Sequence, residues 1–157
     1  MRALLAAVLL VAACGGGPKA RARDVDFKCG GRRVEYIATG TMMYAEQGIR
    51  LTCDGDRATL TRYFTTAQGK ETKQTGEVSV SAWERGWHEF DAAGWRFLGD
   101  CEQQRAVDER EPLYTFEITN GDLTKSFRCQ GNELPFPYEA MRNALDMAAA
   151  ELPEQTP

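Results

Sequence analysis

The sequence predicts an α+β domain, an antiparallel sheet of hairpins with two amphipathic helices packed on one face and disulfide staples. Three observations lead there. Apolar and polar residues alternate in runs that end at glycine-containing turn pairs, the signature of half-buried strands joined as hairpins. Two stretches instead carry apolar residues at steps of three and four, the helical period. Four cysteines (Cys29, Cys53, Cys101 and Cys129) are spread through these elements.

Taken in order, Val25, Phe27 and Cys29 alternate up to Gly30-Gly31, and Val34 and Tyr36 continue beyond. A two-residue turn at the glycines places Phe27 opposite Val34 and Val25 opposite Tyr36. Thr41–Ala45 is expected as a further short strand between Gly40 and Gly48. Ile49, Leu51 and Cys53 alternate up to Asp54-Gly55, with Ala58 and Leu60 returning on the same face. Residues 65–76 are polar throughout and read as a mobile loop, and Val78 and Val80 mark a short strand.

Ser81-Ala82-Trp83-Glu84 has the spacing of a capping box, which opens the first helix at Ser81. Trp83, Trp87 and Phe90 follow at i, i+4 and i+7, and Gly94 suits the left-handed position after the helix. Trp95, Phe97 and Cys101 alternate as an extended segment would, and residues 102–112 form a charged loop. Tyr114, Phe116 and Ile118 then alternate up to Asn120-Gly121, a type I′ pair that would set Ile118 opposite Leu123 and Tyr114 opposite Phe127. Lys125 breaks the apolar face of the returning strand, which places that strand near a sheet edge. Pro135 and Pro137 precede a second helix over 138–151, striped by Tyr138, Met141, Leu145, Ala148 and Leu152, with Arg142 four residues before Asp146. Pro153 ends it.

The ends of the chain carry different information. Arg2 and the apolar run Ala3–Val11 lead into Ala12-Ala13-Cys14. The run is too short to cross a bilayer core, which takes about 20 helical residues, and has the form of a signal peptide. Val11-Ala12-Ala13-Cys14 resembles the lipobox of bacterial lipoproteins. The resemblance implies cleavage after Ala13, acylation of Cys14 and a lipid-anchored protein of the cell envelope. Gly15, not Asp, follows the cysteine, which favours the outer membrane over the inner, with the domain periplasmic or surface-exposed. Three acyl chains would hold firmly, since each buried methylene contributes about 0.8 kcal/mol. An ordinary secretory signal is the alternative. Residues 14–23 then form a lipidated flexible tether (its Lys19, Arg21 and Arg23 either against headgroups or simply solvated), 24–152 one domain, and 153–157 a disordered tail.

With Cys14 assigned to lipid, the other four cysteines form an even set in an exported domain and point to disulfides. Three pairings are possible. Cys29–Cys53 and Cys101–Cys129 close loops of similar, moderate length and are favoured, each contributing roughly 2–4 kcal/mol. No cofactor or metal is expected, because no pair has CxxC spacing and the chain has one histidine. Of its 19 basic residues the leader removes Arg2, leaving 18 against 23 acidic, a balance that argues against a nucleic-acid partner.

Candidate chemistry is sparse. His88 lies four residues after Glu84 and three before Asp91, so the three could share a strip of helix that binds a metal or moves a proton. A solvated helix face is the alternative, and no second histidine or spaced nucleophile accompanies it. Helical spacing of Trp83 and Trp87 with Phe90 favours the core over a sugar-stacking surface for this tryptophan cluster, and Trp95 is the one of the three best placed to be exposed and stack on a sugar ring. Neither GxSxG nor GxxxxGK[ST] is present. The stretch Glu111–Leu152, an aromatic hairpin (Leu113–Ile118) followed by Leu134-Pro135 and an amphipathic helix, resembles the layout of emfourin-type protease inhibitors, which also place a helix before the hairpin. Their glycine-rich early motif is not recognisable here, and no inhibitory residue is carried over. The functional expectation is a non-catalytic envelope binding module with a protein ligand. The alternatives are a glycan- or peptidoglycan-binding module using Trp95 and neighbouring aromatics, and an enzyme around Glu84 and His88.

Overall fold

The computed structural model describes residues 29–102, 108 and 110–152. Their order is β1 (Arg32–Thr39), β2 (Glu46–Asp54), β3 (Arg57–Thr65), β4 (Glu71–Glu77), α1 (Val80–Ala92), a 3-10 turn (Trp95–Phe97), β5 (Leu113–Asn120), β6 (Leu123–Gln130) and α2 (Tyr138–Ala149). The strands form one antiparallel sheet in the order β4-β3-β2-β1-β5-β6. Both helices pack on the same face, over Val34, Tyr36, Leu51, Leu60, Phe116 and Phe127. The fold class is the one the alternation predicts, and the favoured pairing holds: Cys29–Cys53 and Cys101–Cys129 are bridged, with Cα atoms 5.6 and 5.0 Å apart.

Both helical stripes face the sheet. Trp83, Trp87 and Phe90 are buried, as are Tyr138, Met141, Leu145, Ala148 and Leu152. The helices run antiparallel, since Ser79 before α1 meets Glu151 after α2, while the Tyr138 hydroxyl donates to the Gly99 carbonyl, 2.8 Å away, at the other end. Lys125 lies on β6, which is an edge strand as its placement on the apolar face required.

Several local expectations are corrected. β1 is paired on both sides, with Val34 between Leu51 and Ile118 and Tyr36 between Ile49 and Phe116. It has no free edge for a hairpin with Val25 and Phe27, which themselves lie outside the described residues. Thr41–Ala45 is the connection between β1 and β2 rather than a strand, and β2 runs straight through Gly48. The polar stretch expected to be a mobile loop contains β4, which pairs with β3 from Thr59↔Glu77 to Thr65↔Glu71. Being an edge strand, it buries little side-chain surface, so it needs no apolar alternation. Its Gly76 lies under the Leu152 side chain, where a Cβ would approach Leu152 Cδ2 to 2.6 Å.

The third hairpin forms two residues out of the expected register. Ile118 faces Lys125, Phe116 faces Phe127 and Tyr114 faces Cys129. A slip of two leaves every side chain on its face, so alternation cannot choose between the registers. The turn chemistry can. Gly121 takes φ +60° as the first loop residue and Asp122 keeps a negative φ, whereas a type I′ turn on Asn120-Gly121 would force Asn120 into the left-handed region.

Val80 opens α1 instead of a strand, and the cap is Ser79 instead of Ser81. The Ser79 hydroxyl accepts the Ala82 N–H at 3.1 Å. The Ser79 N–H donates to the Glu151 carboxylate at 3.1 Å, so the acidic half of the capping arrangement comes from the far end of α2. Ser79→Ala is therefore expected to cost about 1 kcal/mol. The Ser79 hydroxyl also donates to Glu151 at 3.1 Å, so Glu151→Ala added to Ser79→Ala should cost less than it does alone. Urea unfolding of the two single variants and the double variant measures the coupling.

Candidate functional site

Because α1 and α2 bury their large side chains downward, small residues are left along the seam between them. The result is an open groove of about 690 Å³ on the outer, solvent side of the helix layer. Ala82, Gly86, Ala144 and Ala148 form its floor, Met147 projects into it with 71% of its surface exposed, and Glu84, Arg85, His88, Glu89 and Asn143 line its walls. An apolar floor with a polar rim is the surface a partner's apolar side chains can enter while its backbone and charged groups stay wet.

Two sequence-predicted residues, Glu84 and His88, meet in this groove. Asp91 does not join them: its carboxylate accepts the Trp95 indole N–H at 3.1 Å and the Arg96 guanidinium at 2.8 Å. Trp95 is fully buried like Trp83 and Trp87, so it is not the exposed member of the cluster, and it belongs to the 3-10 turn, which corrects the extended segment through Phe97. Its ring packs edge-on against Trp87, with Arg96 over one face. Phe97 is the exposed aromatic there, at 91%. Cys14 lies outside the described residues. Among the described residues no three His, Cys, Asp or Glu side chains cluster as a metal site would require, and no helix is long and apolar enough to cross a membrane.

The helix-free face of the sheet holds an ionic network that sequence reading did not single out. Glu35 on β1 is 97% shielded (3% exposed) although its strand face carries no helix. Arg33 and Arg50 reach its two carboxylate oxygens at 2.6 and 2.8 Å, and the Tyr63 hydroxyl donates to it at 3.3 Å. Arg33 also reaches Glu117 at 3.3 Å. Tyr63 can lie flat on the sheet because Gly48 is beneath it: a Cβ there would collide with Tyr63 Cζ and its hydroxyl oxygen. In the sequence these residues read only as the polar half of an alternation, and nothing marks one as buried.

Burial alone pushes the Glu35 carboxyl up. The hydrogen bonds from Arg50 and Arg33, with their charges, outweigh that and hold it below the usual glutamate range. A depressed carboxylate contributes stability that is fully present above the unfolded-state value, roughly 4.3, and is lost as pH falls through the folded-state value. Glu35→Gln is thus expected to be less stable than the parent at neutral pH, with the gap closing as pH drops below about 4. Denaturant midpoints across that range check the sign.

A smaller recess of about 340 Å³ sits beside α2 and is lined by Tyr36, Gln47, Arg62, Phe64 and Asp146 among others. The Tyr36 hydroxyl donates to Asp146 at 2.7 Å. Burial first, then the Asp146 charge and hydrogen bond, push the phenol well above its ordinary value. The hydrogen bond ties α2 to the middle of the sheet. No family model matches the chain, and no curated protein does so either.

Proposed function

We propose that the chain is a lipid-anchored envelope protein whose domain is a non-catalytic binding module, receiving an apolar segment of a protein partner between α1 and α2. The groove carries this reading: small side chains line its floor, Met147 stands exposed inside it, and charged residues keep its rim solvated. An amphipathic helix laying two turns into the seam would meet this floor, as in helix-in-groove recognition. His88 on the wall, without Asp91 behind it, reads as part of the rim rather than as a proton carrier.

The anchor rests on cysteine parity together with the leader. Of five cysteines four are bridged to one another, and Cys14, directly behind Val11-Ala12-Ala13, is the one left over. Disulfide usage fits an oxidising compartment outside the cytoplasm. The order helix, hairpin, helix over α1, β5, β6 and α2 also fits the emfourin-type layout, and an inhibitor of that kind would lower the activity of a metalloprotease mixed with the protein.

With the purified protein as bait, captured envelope or secreted proteins should be lost with Met147→Asp while the melting temperature is unchanged. Capture of nothing, or equal capture by the variant, removes the groove assignment. Intact-mass analysis of the native protein tests the anchor separately: a chain beginning at Met1 without acyl groups removes it.

A further inference from the structure

The two ends of the sheet differ in chemistry. At the end where β1 begins, the turns are Asp54-Gly55-Asp56 and Asn120-Gly121-Asp122, and the large apolar side chain these turns leave exposed is Leu123, at 43%. At the opposite end the connections expose Met42 at 104%, Met43 at 76% and Phe136 at 81%. The connections that carry these side chains leave the two strands that flank β5. The 40–45 connection leaves β1 at Thr39 and the 131–137 connection leaves β6 at Gln130, and Leu113 of β5 pairs with both. Two strand spacings separate the exits, about 10 Å, well inside one partner's footprint of roughly 800 Å².

Both connections are held in shape. The Gly40 N–H donates to the Ala45 carbonyl at 3.3 Å and the Ala45 N–H to the Thr65 carbonyl at 2.9 Å. The Thr41 hydroxyl accepts the Tyr44 N–H at 3.1 Å, and the Tyr44 ring packs 4.9 Å from Phe64. In the second connection the Gly131 N–H donates to the Pro112 carbonyl at 2.9 Å, the Asn132 N–H donates to the Glu111 carboxylate at 2.8 Å, and Leu134 is buried. Apolar tips on pre-set backbone lose little freedom on docking, which is where binding energy otherwise goes. Methionine side chains adapt to an irregular pocket.

We infer that this end, presenting Met42, Met43 and Phe136, is a second docking surface, for a protein with an apolar cleft rimmed by basic side chains. Charge selects that occupant over a membrane. Glu46, Glu71, Glu111, Glu133 and Glu139 lie on these connections or on the segment ends beside them, against Lys70, Arg110 and Arg142, an excess that repels an anionic bilayer and attracts a basic rim. The surface itself does not depend on the anchor or on the groove.

The test places a photo-reactive p-benzoylphenylalanine at Met42, at Phe136 or, as the opposite-end control, at Asp122 in the full chain, irradiated in intact cells that produce it. The expected result is one protein adduct common to positions 42 and 136 and absent at 122. Its yield should fall about ten-fold with Met43→Asp and should fall again as salt is raised. No adduct at 42 and 136, equal yield at 122, or insensitivity to Met43→Asp overturns the inference. An adduct of lipid mass assigns the end to the membrane, and one of twice the chain's mass assigns it to a second copy. Either also overturns it. Met147→Asp in the same assay keeps failure of the groove distinguishable.

Discussion

Phe116→Ala is expected to destabilise the domain by about 3–5 kcal/mol, among the largest effects any single substitution here can have. Phe116 is fully buried at the centre of the helix-covered face. Its ring stacks on Phe127 at 5.6 Å and meets Tyr138 at 6.3 Å and Tyr36 at 6.1 Å. It therefore joins β5 to β6, to β1 and to α2 at once. Loss of the ring removes its transfer energy and leaves a cavity, and the room for collapse is small. Tyr138 is tied to the Gly99 carbonyl and Tyr36 to Asp146, so neither ring can swing inward without breaking a hydrogen bond. Phe116→Leu keeps most of the volume and should cost much less, within about 1–2 kcal/mol. Chemical denaturation of the two variants separates cavity from hydrophobicity, and equal midpoints for parent and Phe116→Ala would contradict the packing described.

The same residue shows how far the sequence is legible. Alternation through Tyr114, Phe116 and Ile118 fixes which face they share, because strand periodicity is local and strong. It does not fix the partner across the hairpin, since a two-residue slip preserves every face, and there the left-handed angle at Gly121 decides. β4 was illegible for a different reason. An edge strand gains its place by backbone pairing with β3, and backbone hydrogen bonds leave no trace in side-chain pattern. The helix stripes were legible down to single residues, but the cap was not: Ser79 and Ser81 both fit locally, and the choice belongs to Glu151, 72 residues away.

The candidate sites follow the same division. Trp95 lies off the helical stripe, and its burial against Trp87 comes from a turn with Gly94 at φ +68°, which no spacing rule anticipates. Helical period puts Glu84 and His88 on one strip, yet their groove exists because α2 contributes Ala144, Met147 and Ala148 opposite them. Met147 did carry a signal, as an apolar residue off the buried stripe of its helix. Met42 and Met43 carried one too, but in a short segment an apolar pair reads equally well as strand or as exposed tip.

Reducing both disulfides is expected to bring the domain to the edge of unfolding at room temperature. The bridges span 24 and 28 residues of sequence, and loop closure of that size constrains the unfolded chain by about 3.5 kcal/mol each. Together that is about 7 kcal/mol against a typical total stability of 5–15 kcal/mol. Their positions make the terms close to independent. Cys29–Cys53 pins the first described residue to β2 near the Gly55 turn, while Cys101–Cys129 pins the segment after the 3-10 turn to edge strand β6, where Asp100 also accepts the Arg128 N–H at 2.7 Å. The second bridge thus has local support and the first has little beyond the Cys29–Gly55 hydrogen bond. Cys29→Ser with Cys53→Ser should consequently release the N-terminal entry to the sheet and lower the melting temperature at least as far as the Cys101–Cys129 pair does. Melting curves of the oxidised protein, the reduced protein and the two double variants test both points. A reduced protein that melts within a few degrees of the oxidised one would show a core sufficient without the bridges.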